Sequence, residues 1–260
     1  MRKSVGFSSL ITILVLGLAC ANVSLAKPPD GLVFFFAFDE GGGDTARDSS
    51  GFGNNGVING KSDWTNGKHK GGFHFDGKTN IAVENKEPLT KLTHPMSVAA
   101  WVNPDALAGW QNIVEMDRTD ANKVNGWKFG FNVTKVVWTT YGVLDFTGAT
   151  TIENGKWTHV AATWDGAQAI IYINGEPEAP IKGGGVINVK DTKDIPSLDL
   201  GWRRSSASAY YFGDMDEVCI FNRLLDENEI KNIMGGLADL VAVESGGKLT
   251  AKWGDIKVVK

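Results

Sequence analysis

Short apolar runs, cut at intervals by glycine paired with Asn or Asp, set the rhythm of this chain. The pairs Asp76-Gly77, Asn125-Gly126, Asn154-Gly155, Asp165-Gly166 and Asn174-Gly175 tolerate positive φ, so the backbone can reverse at each of them. The segments between are rich in β-branched and aromatic residues, and they predict strands over residues 32–38, 72–75, 96–102, 127–133, 135–140, 157–164, 169–174, 198–202 and 215–222. Residues 157–164 are apolar or small on both alternating faces, the pattern of a central strand covered on two sides. Asp165-Gly166 then turns that run into Ala169-Ile170-Ile171-Tyr172-Ile173, the clearest hairpin in the sequence.

One helix is predicted, over residues 227–234. Asp226 is its N-cap and Glu229 completes a capping box. Leu225 and Ile230 form a hydrophobic staple, and Gly235-Gly236 ends the helix. Beyond Gly236, residues 237–243 and 248–253 flank the turn Ser245-Gly246-Gly247, which reads either as a last hairpin docked on a sheet edge or as a tail. Many strands with one helix make an all-β, two-sheet antiparallel sandwich, and no repeat, low-complexity tract or Pro-rich linker divides it.

The first residues change the picture of where the protein works. Arg2 and Lys3 precede an apolar stretch over residues 10–21, and Ser24-Leu25-Ala26 offers a small-x-small cleavage site. Residues 1–26 are therefore read as an export signal, 27–236 as the domain and 237–260 as the tail or extra hairpin. A lipid-modified Cys20 is the competing reading, although Gly17 and Leu18 suit that motif poorly. No later segment approaches the ~20 apolar residues of a membrane span, so a secreted or cell-surface protein without a transmembrane span is expected. Loss of Cys20 leaves Cys219 as the only thiol and excludes an internal disulfide. With 26 basic against 30 acidic side chains, a formal charge of −4, the balance argues against a nucleic-acid partner and allows cation binding.

Several stretches, in order, now carry a resemblance. They are Phe38-Asp39-Glu40 with Asp48-Ser49-Ser50-Gly51 and Asn55-Gly56, Gly71-Gly72-Phe73-His74-Phe75-Asp76-Gly77, and Met96-Ser97-Val98-Ala99-Ala100-Trp101-Val102. The hairpin from Trp157 to Gly175 and the run Gly213-Asp214-Met215-Asp216-Glu217-Val218-Cys219-Ile220-Phe221-Asn222-Arg223-Leu224-Leu225 complete them. Together, over residues 30–235, they resemble the concanavalin A-like lectin/glucanase superfamily, and within it the laminin-G-like and pentraxin-like jelly rolls. The resemblance implies a jelly-roll sandwich with one short C-terminal helix. It leaves function open, because that scaffold serves sugar-binding modules, protein-binding adhesion modules and glycosidases.

Three chemistries follow. Members of the superfamily often hold calcium at a sandwich edge, which makes Asp39, Asp48 and Asp216, with Glu40, the candidate ligands of a structural ion; the alternative is that these carboxylates cap turns, Asp48 as an Asx-turn. Trp110, Trp202 and Tyr210 fall in or beside Gly- and Ser-rich segments read as loops, near Asn112, Arg203 and Arg204, and are the candidate sugar-stacking aromatics. Trp101, Trp157 and Trp164 lie in strand patterns and are read as packing. Asp214 and Asp216 alternate onto one strand face as a glycosidase pair could. The Glu-x-Asp-x-x-Glu run of the superfamily's glucanases is absent. His69, His74, His94 and His159 show no metal-ligand spacing, and Cys219 reads as a buried, inert thiol. The reading is a non-catalytic recognition module for a glycan or surface polymer, with calcium as its expected structural cofactor; a protein–protein adhesion module is the rival and a glycoside hydrolase the third reading.

Overall fold

The computed structural model describes residues 29–84, 86–120, 123–185, 187 and 197–244; the expected export signal with Cys20, and residues 245–260, lie outside them. Among the described residues seventeen strands form two antiparallel sheets, one of nine strands and one of eight. The first sheet contains β1 (Leu32–Phe36), β4 (Trp64–Asn66), β5 (Gly71–Asp76), β7 (Met96–Pro104), β12 (Thr158–Trp164), β13 (Gln168–Ile173), β14 (Glu176–Pro177), β15 (Ile181–Lys182) and β17 (Phe212–Phe221). The second contains β2 (Thr45–Ala46), β3 (Gly56–Asn59), β6 (Asn80–Glu84), β8 (Trp110–Asp120), β9 (Lys123–Asn132), β10 (Lys135–Thr140), β11 (Leu144–Thr151) and β16 (Ser197–Leu200). Its order is β11-β10-β9-β8-β16-β6-β3-β2. The molecule is a jelly-roll sandwich, as expected.

The opening and closing strands lie side by side, Phe36 opposite Val218 and Phe35 opposite Cys219. Phe34, Phe36 and Phe38 point between the sheets, while Leu32 and Phe35 point to the outer face of the first sheet. That second face is apolar because two helices cover it. Helix α1 (Glu227–Met234) and helix α2 (Leu237–Glu244) bury Ile230, Ile233 and Leu237 against Tyr172, Cys219 and Phe221. Both faces of β1 and β12 are thus covered, which is why their sequences read as continuous apolar runs.

Helix α1 has the expected capping box: Glu229 N–H donates to Asp226 Oδ1 at 2.9 Å, and Asp226 N–H to Glu229 Oε2 at 3.0 Å. Arg223 grips the same Glu229 carboxylate with two bonds of 2.8 Å. Three expectations are corrected. Residues 237–244 form a helix and not the first arm of a hairpin, because the Glu217 carboxylate accepts from the N–H groups of Leu237 and Ala238 and caps the turn. Asn125-Gly126 does not reverse the chain but lies inside β9, Gly126 taking up the twist at φ 100°. Trp110 and Asn112 lie on a strand, β8, and not in a loop.

Candidate functional site

Register alone draws a row of side chains across the second sheet. Asp199 on β16 stands opposite Glu115 on β8, Glu115 opposite Lys128 on β9, Lys128 opposite Thr139 on β10, and Thr139 opposite Asp145 on β11. Flanking residues such as Leu200, Val114, Phe129 and Trp138 fill the core, so the row faces outward. Charges on an outward sheet face normally stay in water, yet Asp199 and Glu115 are 1% exposed and Lys128 7%. Something built above them removes the water.

That cover comes from Trp110, Tyr141 and the segment 201–210. Lys128 Nζ lies 3.6 Å from the centroid of the Trp110 ring and 5.9 Å from that of Tyr141. Tyr141 Oη and Asn112 Nδ2 both donate to the Glu115 carboxylate. Arg203 approaches from the other side, its Nε 3.7 Å from Glu115 Oε1 and its guanidinium 5.1 Å from the Tyr141 ring. Arg204 holds Asp199 through two bonds of 2.8 and 2.6 Å and lies 5.5 Å from the Trp202 ring, which in turn packs on Tyr210 at 5.7 Å.

Asn112 fastens this cover to the sheet. Its backbone N–H donates to Ala209 O at 2.9 Å and its side chain reaches Trp202 O at 3.4 Å. The segment closes on itself through a bridge between Arg203 and Ser208, with Ala207 and Ala209 at positive φ of 45° and 52°. The structure therefore brings Trp110, Asn112, Trp202, Arg203 and Tyr210 to one face, and it adds Glu115, Lys128, Tyr141, Asp199 and Arg204. Lys128 had a signal in the sequence, since Trp127-Lys128-Phe129 alternates within a predicted strand. Glu115 had none, because its strand was not predicted.

The three aspartates expected to hold calcium are placed differently. Asp48 Oδ1 accepts from the N–H groups of Phe35 and Ser50, and its Oδ2 from that of Asn54, so this carboxylate caps its own loop. Asp39 and Asp216 meet at the loop 67–71, where Gly71 N–H donates to Asp39 Oδ1 at 2.9 Å and His69 N–H to Asp216 Oδ2 at 2.8 Å. Among the described residues no group of three or more His, Cys, Asp or Glu gathers as a metal site. The trio does not form one cradle.

Asp216 and its neighbour Glu217 sit at a bulge of β17 against β7, Glu217 having φ 52°. Burial pushes the Asp216 carboxyl up to about 7, and the nearby Asp39 charge adds to the rise. Burial likewise lifts Glu217 to about 8, helped by Asp216. Beside them Trp101 lies edge-on to His69 and His159, and both His69 Nε2 and Trp101 Nε1 reach the Met234 carbonyl at 3.1 and 3.2 Å. Burial, seconded by His69, depresses His159 to about 3. Burial also raises the Cys219 thiol, which is buried as expected. Asp214 is held by His74 Nδ1 at 2.8 Å and Asn103 Nδ2 at 3.1 Å, while Asp216 is fully buried.

A laminin-G family model, described as the concanavalin A-like lectin/glucanases superfamily, matches residues 75–231, more than half of the sequence. The chain belongs to the concanavalin A-like lectin/glucanase superfamily. Among solved structures, this superfamily member is similar to domain 4 of AbnA, an extracellular arabinanase from Geobacillus stearothermophilus solved with arabinotriose. The TM-score is 0.59 at 21% identity, over 78% of this chain and 98% of that one. It is also similar to the binding domain of Paraclostridial Mosquitocidal Protein 1, with TM-score 0.58 at 19% identity over 78% and 52% of the two chains. The binding domain of botulinum neurotoxin DC, solved with rat synaptotagmin II, gives 0.56 at 15% over 80% and 52%. This chain thus spans about half the length of the two toxin domains. What these neighbours share with it is the fold. No curated protein matches the sequence significantly. No helix among the described residues is long and apolar enough to cross a membrane.

Within the superfamily fold of this chain, α1, α2 and the loop 67–71 roof the outer face of the first sheet around Trp101, Asp216 and Cys219. The aromatic and charged face lies on the other sheet.

Proposed function

We propose that this superfamily member is an exported, non-catalytic module that binds carbohydrate, a glycan or cell-surface polymer, on the outer face of its second sheet. The observation that carries the reading is Trp110, 38% exposed, poised over the buried charges Lys128, Glu115 and Asp199. An indole held by a cation on one side offers its remaining surface to the apolar face of a sugar, and the part-exposed guanidinium groups of Arg203 and Arg204 on the same face can bond hydroxyls. The arabinanase domain of the same fold, solved with arabinotriose, supports a sugar as the ligand. A non-catalytic role is supported by Asp214 and Asp216, the one carboxylate pair the sequence offered for hydrolysis, being engaged by His74 and Asn103 and by the loop 67–71.

Isothermal titration with a panel of oligosaccharides and polysaccharides tests this directly. Binding that weakens in Trp110→Ala, with no release of reducing ends, is the expected result. Absence of binding across the panel, or hydrolysis abolished by Asp216→Asn, overturns it. Export predicts a mature N-terminus just after Ala26, which N-terminal sequencing reads. With Asp48 taken up by its own loop, the calcium proposal narrows to Asp39 and Asp216. A chelator that leaves the melting temperature unchanged removes it, since a bound ion stabilises in proportion to occupancy.

A further inference from the structure

Among the described residues the outer face of the second sheet carries Lys128, Arg203, Arg204 and, at its edge, Lys135, and each already faces protein groups, Lys135 the Ala149 carbonyl and the Thr151 hydroxyl. Arg204 is gripped by Asp199 at 2.8 and 2.6 Å. Arg203 lies 3.7 Å from Glu115 and stacks near Tyr141. Lys128 stands opposite Glu115 in register and sits over Trp110 at 3.6 Å. A carboxylate or sulfate on a ligand would have to draw one of these away from its partner. It would also approach Glu115 and Asp199, both 1% exposed, where low local dielectric strengthens repulsion. Asp145 adds a further negative charge at the exposed end of the row. The whole chain carries a formal charge of −4, so its long-range field also disfavours polyanions. Sugar hydroxyls meet no such barrier, because they can accept from the part-exposed Arg203 and Arg204 guanidinium groups without displacing an ion.

Resting on the carbohydrate-binding reading above, we infer that the ligand is an uncharged polysaccharide, recognised by stacking and neutral hydrogen bonds. Its binding is therefore insensitive to salt. Affinity electrophoresis of the whole chain through gels containing arabinan, xylan or β-glucan, and in parallel polygalacturonate or alginate, followed by fluorescence titration at low and high salt, tests this. The expected result is retardation by at least one of the neutral polymers and by neither polyanion, with a Kd that moves less than about twofold with salt. Trp110→Ala should weaken binding about three- to tenfold, and Trp110→Phe, which keeps a ring over Lys128, should weaken it less while melting as the parent does. Retardation by a polyanion alone, fading steeply with salt, overturns the inference while leaving the binding reading in place. No retardation by either class overturns both.

Discussion

Asn112 and Gly130 show how single residues build the proposed site. Asn112 is 1% exposed and joins three things: the Glu115 carboxylate, the Trp202 carbonyl and the Ala209 carbonyl. Removing its side chain leaves a buried carboxylate short of a donor, a loss of about 1–3 kcal/mol. Asn112→Ala should accordingly lower stability in urea denaturation and weaken glycan binding together, although its own side chain need not touch the sugar. Gly130, opposite Asn112, has no room for a side chain: a β-carbon would lie 2.2 Å from Gln111 O. Gly130→Ala should push β8 and β9 apart and displace Trp110, read as weaker binding with a shifted tryptophan emission. At this scale the sequence was partly legible. Trp110, Trp202, Tyr210, Arg203 and Asn112 could be chosen as aromatics and partners clustered near glycine and serine, but the buried Glu115 that organises them could not.

Among the elements, those with local rules were read well and those with mixed patterns were missed. Helix α1 follows its capping box because Asp226 and Glu229 satisfy each other within one turn. Strands β1 and β12 stand out because both faces are apolar or small, while β8 is hidden in the sequence because Gln111, Asn112 and Glu115 are polar yet buried. Helix α2 depends on a residue twenty positions back in sequence, as Glu217 caps its N-terminus. Glu217→Ala should orphan the N–H groups of Leu237 and Ala238 at a cost of about 1–2 kcal/mol and speed amide exchange across residues 237–244. Unchanged exchange there would show that α2 is held by its apolar face alone.

The whole molecule carries titrating groups that pull its stability in opposite directions with pH. Asp216 and Glu217 have pKa values raised to about 7 and about 8 in the fold, so they ionise in the unfolded chain first, and stability should fall as pH rises from about 4 to about 8. His159 is depressed to about 3, so it contributes stability that is present above its unfolded pKa of 6.5 and lost as pH falls from there toward 3. Two carboxyls outweigh one imidazole, so on these groups thermal melting should peak at about pH 4 and decline from there to about pH 8, and Asp216→Asn, which keeps an oxygen for the His69 N–H, should flatten that decline. An unaltered decline in that variant would count against a buried, neutral Asp216. By itself the sequence determined the sandwich, the Trp157–Gly175 hairpin and the capped helix, because turn chemistry, strand alternation and capping act between residues close in the chain. Tertiary structure alone decided that Asp48 caps a loop, that Glu217 starts a helix, and that Asp199, Glu115 and Lys128 align beneath Trp110, because strand register and the covering segment 201–210 place residues far apart in sequence side by side and set which charges lose their water.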